Sequence, residues 1–534
     1  MKTYKIILLL LLVAIWISCD NDTYFELERP NQYPWTKVTE LEMGVREPYR
    51  LLNGNAWGSP LGAMGLRFYG ESDIAQLLPD ISGDSYYNEY YNRLYKTTIP
   101  SMDKEMGNAF AYLYNMVAAA NAPLTMLEKA EEAQKDPFAD MTAADREMVK
   151  RYKGELLFMR GVAYWYLARM FAPPFDPNGA NDGKYFVLRR TFTNSATEIK
   201  HAPLATVKEV WESIQKDFED AKKLLPINYV TSEKDGKGRA NKYAASAFLS
   251  RVYFITGQFS KAKDECDFVV EGGMYNLNSD PIESFNRIAE NGSCADIIWT
   301  QAMDANTSGF DRNPTIMGKN AYQGSATGGR LPNFSLCAWC NLALSYSTLK
   351  QIGWMVDGQN GDYTVGPEAD GDKRYSQLYY RLEEWKSNGV VGVNDSRNVV
   401  TKPYVWNDKF FRNPGQGRRS SRPMLRYAEV LLTRATLRLK DGDKEGAVSD
   451  VNEVRRRAGL PPLDSVTLTE EQIERERIIE LAGEHGDRIY YLIAMRRSIG
   501  RGDRPNSIAT IEPPYSDYYW QVPLAESEQN GAYN

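Results

Sequence analysis

Apolar residues recur at helical spacing over much of the chain. Between 103 and 132, Met106, Phe110, Leu113, Tyr114, Val117, Leu124 and Leu127 follow a three- and four-residue rhythm, which predicts a helix that Pro123 breaks or restarts. Between 145 and 171, Leu156, Met159, Ala163, Tyr166, Leu167 and Met170 share related faces, and Ala172-Pro173-Pro174 marks the stop. Thr206 with Glu209 three places on reads as a capping box opening a helix over 207–225, which Pro226 ends.

Two later stretches carry one pattern twice. Residues 241–271 read helix, Gly257 turn, helix; residues 425–457 read helix, Gly442 turn, helix. In each, an alanine follows the turn glycine by five residues, Ala262 and Ala447. Small residues at a crossing beside a short turn are the packing logic of tetratricopeptide-type hairpins, which bury one face against the next hairpin. The helices at 145–171 and 207–225 make a third pair, joined by a long insertion. The fold class that follows is mainly all-α, a scaffold of stacked helical pairs over about 100–272 and 420–500.

The rhythm fails over about 273–418, where Gly, Asn, Asp and Pro are frequent, as in Gly324–Gly329 and Asp357–Asp362. Short helices are expected there near Leu342–Lys350 and Arg374–Trp385. Residues 53–95 and the aromatic tail after Gly500 are also irregular. Long loops of this kind commonly carry function.

The N-terminus changes the picture of the compartment. A basic start, Met1 to Lys5, leads into an uncharged apolar run from Ile6 to Ile17. A spanning helix needs about 20 apolar residues, so this run reads as a signal-peptide core. It ends on Ser18-Cys19, resembling a bacterial lipobox with Trp16 in place of the usual leucine, and Asp20-Asn21-Asp22 follows. The expected mature chain is therefore 19–534, a single domain, lipidated at Cys19 and anchored without spanning the membrane. Loss of residues 1–18 removes two lysines and moves the net charge from −6 to −8.

Composition narrows the chemistry. With 64 basic and 70 acidic residues, no general affinity for nucleic acid is expected. Only His201 and His485 are present, which disfavours histidine-based metal sites and triads, and no cofactor or metal is expected. Cys337-Ala-Trp-Cys340 has redox-motif spacing but lacks a thioredoxin-like context, so a local disulfide or buried thiols is preferred for it, with Cys266 and Cys294 alongside. Tyrosine is abundant, at 34 against 19 Phe and 11 Trp, which suits surfaces that stack and hydrogen-bond at once.

Four segments resemble the SusD/RagB family of Bacteroidetes outer-membrane lipoproteins: Gly154–Phe171; Ala244–Tyr275 with its Gly-Gln-Phe turn and the Gly-Gly-Met-Tyr-Asn-Leu that closes it; Leu425–Leu432 followed by Val451–Gly459; and Glu474–Glu484. The order His485-Gly486-Asp487-Arg488 departs from the Gly-His-Arg often found after the closing helix. The resemblance implies a SusD-like fold with a loop-rich, ligand-facing region. It also implies a non-enzymatic role at the cell surface: capture of a nutrient oligosaccharide, or in some members a peptide, for a SusC-like TonB-dependent transporter in the outer membrane.

Sugar rings offer flat C–H faces edged by hydroxyls, so a glycan site needs exposed aromatic rings with polar neighbours. Tyr86, Tyr87 and Tyr90, in Ser85–Arg93, fit and lie where the family's ligand loops tend to lie. Tyr87, Tyr91 and Tyr95 also fit one helical face packed on the core. Asp73 and Glu71 are candidate hydroxyl partners or turn caps. Trp57, Tyr322 and Trp339 are loop candidates, while Trp354 reads as core. The Arg418, Arg419, Arg422, Arg426 cluster suits an anionic ligand or internal ion pairs, and Glu480 and Glu484 suit ion pairs with Arg477 and Arg488. Asp357, Asp362, Asp370 and Asp372 lack calcium-loop spacing. A helical glycoside hydrolase and a pure helical-repeat scaffold are the competing classes.

Overall fold

Thr142 and Thr206 each open a long helix in the same way. Each hydroxyl accepts from the backbone N–H three residues on, at 3.1 Å in both, and Asp145 or Glu209 returns a bond to the threonine N–H at 2.9 and 2.7 Å. Two of the orphan donors at each helix start are thereby satisfied.

The computed structural model describes residues 35–53, 67–68, 71–77, 93, 95–97, 104–193, 195, 198–199, 201–229, 238–285, 294–301, 342–359, 363–381, 405–407, 409 and 422–533. The helices are α1 (Val38–Asn53), α2 (Lys104–Glu132), α3 (Ala143–Phe171), α4 (Val207–Leu224), α5 (Lys242–Ile255), α6 (Phe259–Glu271), α7 (Tyr346–Gln351), α8 (Pro367–Gly371), α9 (Lys373–Gln377), α10 (Tyr427–Lys440), α11 (Lys444–Arg457), α12 (Glu470–Leu481), α13 (Asp487–Ala494) and α14 (Leu524–Gln529). Among the described residues, no helix is long and apolar enough to cross a membrane.

Spatial neighbours follow chain order. Helix α1 packs on α2, α2 on α3, α3 on α4, α4 on α5 and α5 on α6; α6 then meets α10, which pairs with α11 and α12. The three expected pairs are present, with Gly257 and Gly442 at their turns in the left-handed region (φ 75° and 85°) and Ala262 and Ala447 buried. The α3–α4 crossing is close because α3 offers glycines. A Cβ at Gly161 would sit 3.0 Å from the Phe218 ring, and one at Gly154 would sit 3.0 Å from Leu224. Phe158, Phe218, Phe248 and Trp299 fill the core behind this crossing, with Phe218 and Phe248 stacked at 4.9 Å.

Three expectations need correction. Pro123 neither breaks nor restarts α2, which runs through it, because Leu124 and Leu127 are buried on the same packed face. The helix expected over Leu342–Lys350 is a strand, Leu342–Leu344, then α7. The one expected over Arg374–Trp385 is α9, then a strand, Tyr379–Arg381.

Among the described residues, ten short strands form five antiparallel pairs. They are β1 (Ala75–Leu77) with β5 (Leu342–Leu344), β2 (Lys184–Val187) with β3 (Leu204–Thr206), β4 (Ile297–Gln301) with β10 (Arg422–Arg426), β6 (Met355–Asp357) with β7 (Tyr363–Val365), and β8 (Tyr379–Arg381) with β9 (Val405–Asn407).

Candidate functional site

Three of these pairs share one construction. In each, one end is tied down by charged or polar side chains, and the other end opens into a long segment outside the described residues. Leu77 pairs with Leu342, so residues 78 onward and residues up to 341 leave from one edge. Gln301 pairs with Arg422, the exit and entry points of 302 onward and of residues up to 421. Arg381 pairs with Val405, the two ends of 382–404. Strands β5 and β9 are in contact, which brings two of these edges side by side.

The tied ends converge on α12 and α13. At β1–β5, Arg488 of α13 grips both oxygens of Asp73 at 2.9 Å. Ser345 donates its N–H to the Ile74 carbonyl and its hydroxyl to the Asp73 carbonyl, both at 2.7 Å. At β8–β9, the Tyr379 hydroxyl donates to the Ile479 carbonyl at 2.6 Å, and Lys409 donates to the Glu480 and Ala482 carbonyls and to Glu484. At β4–β10, Arg426 reaches Asp296 (2.7 Å), Glu480 (2.9 Å) and both oxygens of Glu484 (2.8 and 2.9 Å).

This junction is charged and dry. Burial opposes ionisation of Glu480, but Arg457, Arg426, Arg374 and Lys409 outweigh it and hold the carboxyl far below the usual range. Glu484 is likewise depressed, burial being overcome by Arg426 and Lys409. Burial pulls Lys409 down despite Glu484. Removing a partner from such a cluster leaves a bare buried charge, so each member is costly to lose.

The C-terminal tail locks the first root from behind. Trp520 donates its indole N–H to Glu71 at 3.0 Å and its backbone N–H to the Met170 carbonyl at 2.7 Å. Arg67 bonds Glu71 at 3.3 Å and lies on the rings of Tyr518 and Trp520. Arg504 donates to the Glu71 carbonyl at 2.6 Å.

Of the sequence-predicted site residues, Trp57, Tyr86, Tyr87, Tyr90, Tyr322 and Trp339, together with the lipidation candidate Cys19, lie outside the described residues, as do Cys337, Cys340, Arg418 and Arg419. Asp73 is described, and its carboxylate is engaged by Arg488 with its side chain 16% exposed. Glu71 is buried rather than capping a surface turn. Tyr95 and Trp354 are buried, as the packed readings expect. Arg426 is an internal ion-pair residue. Glu480 and Glu484 do form ion pairs, but with Arg426, Arg374, Arg457 and Lys409; Arg477 pairs with Asp487 and Arg488 with Asp73 and Glu474. Among the described residues, no cluster of His, Cys, Asp and Glu is arranged to hold a metal. Cys266 and Cys294 are buried, and burial pushes the Cys266 thiol up to about 12.

Sequence reasoning missed Arg488, Lys409, Arg67 and Trp520 as the residues that fix the roots. The aromatic tail was the one available signal for Trp520. Nothing in local spacing pointed to Asp73 meeting Arg488.

Comparison with known proteins agrees with this architecture. A family model described as "Starch-binding associating with outer membrane" matches residues 61–254, and one described as "SusD family" matches 295–491. The chain is 24% identical to SusD-like protein P2 of Formosa agariphila over 91% of this chain and 89% of that one. Among solved structures it is similar to a SusD superfamily protein of Bacteroides thetaiotaomicron (TM-score 0.70, 20% identity, 93% and 98% of the two chains covered). It is also similar to a protein of Bacteroides vulgatus described as a putative sugar binding protein (TM-score 0.68, 16% identity, 93% and 97% covered).

Proposed function

We propose that this chain, which belongs to the SusD/RagB family, is a lipid-anchored outer-membrane protein of the cell surface. In this reading it binds a nutrient oligosaccharide and passes it to a SusC-like TonB-dependent transporter, without catalysis. The observation that carries the reading is the set of three strand pairs tied to α12 and α13, of which β1–β5 and β4–β10 end where the segments that hold Tyr86, Tyr87, Tyr90, Tyr322 and Trp339 begin.

A fixed root lowers the ordering cost that a stacking loop pays when it closes on a sugar. In this proposal the aromatic rings, with Trp57, stack on sugar faces and neighbouring amides and carboxylates bond the hydroxyls. Asp73 supports the root through Arg488. Cys19 carries the lipid. The buried carboxylates of Glu476 and Glu480 on α12, and of Glu484 just after it, are committed to arginines and lysine, which suits a frame rather than a general acid and base. The likeness to a family model for starch binding and to a putative sugar binding protein of Bacteroides vulgatus favours a carbohydrate over a peptide.

Titration calorimetry of the lipid-free chain, beginning at Asp20, against panels of oligosaccharides and peptides tests this. The expected result is heat with glycans that Tyr86→Ala or Trp339→Ala abolishes. Heat with peptides alone replaces the glycan by a peptide and keeps the capture role. Heat with neither supports the scaffold reading, and release of shortened sugars by the purified chain overturns the non-catalytic assignment.

A further inference from the structure

Behind β10, a cavity of about 20 Å3 lies among α3, α5, α10, α13 and the turn at 481–487. A single water needs roughly 10–15 Å3 of such space. The wall includes Trp165, Arg169, Arg251, Glu429, His485 and Tyr490.

The unspent hydrogen-bonding groups on this wall are donors. The Trp165 indole N–H and the Tyr490 hydroxyl are fully buried and have no hydrogen-bond partner among the described residues. An indole nitrogen can only donate. Arg169 spends two N–H groups on the carbonyls of His485 and Gly486 at 3.3 and 3.2 Å, and the rings of Phe68, Trp165 and Tyr490 surround it.

The wall carries three guanidiniums, of Arg169, Arg251 and Arg426, and three carboxylates, but their pairing leaves one guanidinium out. Three carboxylates face the cavity, and each is already matched. Glu429 takes Arg251 on both oxygens at 2.6 Å. Glu484 takes Arg426 and Lys409. Asp487 takes Arg477 at 2.8 and 2.6 Å. Among the described residues, Arg169 alone of the three guanidiniums meets no carboxylate. Burial lowers its pKa to about 10, with Arg251 adding to the effect, so it stays charged at neutral pH. His485 is neutral, because burial, reinforced by Arg251 and Arg422, outweighs its bond to the Pro423 carbonyl and brings it to about 4.

We infer that this cavity is a binding site for one small monovalent anion of halide size, held by the Arg169 charge, the Trp165 N–H and the Tyr490 O–H. Room for about one water-sized sphere suits a monatomic ion. A halide supplies the acceptor that both unspent donors lack and pairs with the one guanidinium that meets no carboxylate. The anion would brace α3 against α13, at the back of the junction that roots the strand pairs. The inference is independent of which nutrient the protein binds.

Two measurements test it. The first is thermal melting of the whole lipid-free chain in sodium bromide against sodium gluconate at matched ionic strength. The expected result is a bromide-specific rise of about 1 °C per tenfold concentration once the site is filled. The rise should shrink in Tyr490→Phe and vanish in Arg169→Gln. The second is anomalous scattering from crystals grown in bromide, with a peak expected between Arg169 and Tyr490. A water at that position, or a melting increment as large in Tyr490→Phe as in the parent, overturns the site. Should Arg169→Gln fail to fold, Tyr490→Phe and the bromide crystal still decide it, since that variant removes a single oxygen.

Discussion

The helical array and the strand-pair junction are held together by different physics. In the array, each helix packs on the next in the chain, through apolar faces and small residues such as Gly161, Ala262 and Ala447. Its buried ion pairs, Arg160 with Asp217 and Arg434 with Asp450, join adjacent helices. In the junction, the contacts are mostly charged and bridge distant parts of the chain: Arg426 meets Asp296 across 130 residues, and Arg488 meets Asp73 across 415. An array of nearest neighbours tolerates local damage. A shared network of buried charges does not, because each member is the counter-ion of several others.

The largest expected effect comes from breaking that network. Arg426→Ala strips Asp296, Glu480 and Glu484 of a common partner and is expected to cost about 3–5 kcal/mol in urea unfolding. Hydrogen exchange should then accelerate over 470–494, 296–301 and 422–426 while α3 and α4 stay protected. Uniform acceleration across all helices would show one cooperative unit and dissolve the distinction drawn above.

Acid probes the same junction more gently. His485 has a folded pKa of about 4 against the usual 6.5, so the unfolded chain takes up the proton first. Its contribution is fully present above pH 6.5 and is lost as pH falls towards 4. The shift corresponds to about 3 kcal/mol. His485 sits at φ 46°, a left-handed position that asparagine tolerates, so His485→Asn keeps the turn and removes the titration. Unfolding at pH 7 and pH 4.5 should show a smaller difference in the variant than in the parent. Equal differences would place the acid sensitivity in carboxylates elsewhere.

The same contrast explains what was legible in the sequence. The helices and hairpins could be read because their signals are local: the Thr206–Glu209 box, Gly442, and the apolar rhythm of 145–171. Pro123 was misread because the rule for an isolated helix gave way to packing on both sides of it. The junction could not be read, because no spacing rule links Asp73 to Arg488 or Asp296 to Arg426. Glu480 and Glu484 read as ion-pair residues and are, yet with other arginines, since helical neighbourhood points to Arg477 and Arg488 while the fold supplies Arg426 and Arg457. The short strands escaped because three to five residues are too few to show alternation.

Overfilling the array should cost less than breaking the junction. Gly161→Val presses a branched side chain onto the Phe218 ring, already 3.0 Å from where a Cβ would stand. A loss of about 1–3 kcal/mol is expected, with glycan or peptide heats per folded molecule unchanged. Altered ligand heats in this variant would mean that the array transmits strain to the roots.

The smallest effects should also be the most independent. Thr206→Ala and Thr142→Ala each remove a capping hydroxyl and should cost about 1 kcal/mol. Gly154 lies opposite Leu224 and Gly161 opposite Phe218, so α3 and α4 run antiparallel and these caps stand at opposite ends of the pair. The 18 residues of α4 alone separate them by about 27 Å. Their losses should therefore add in the double variant. Arg426→Ala and Lys409→Met share Glu484 and should not add, because the second substitution removes a partner from a carboxylate the first has already left short. Non-additive caps would count against a nearest-neighbour array, just as additive losses at Arg426 and Lys409 would count against a shared network of buried charge.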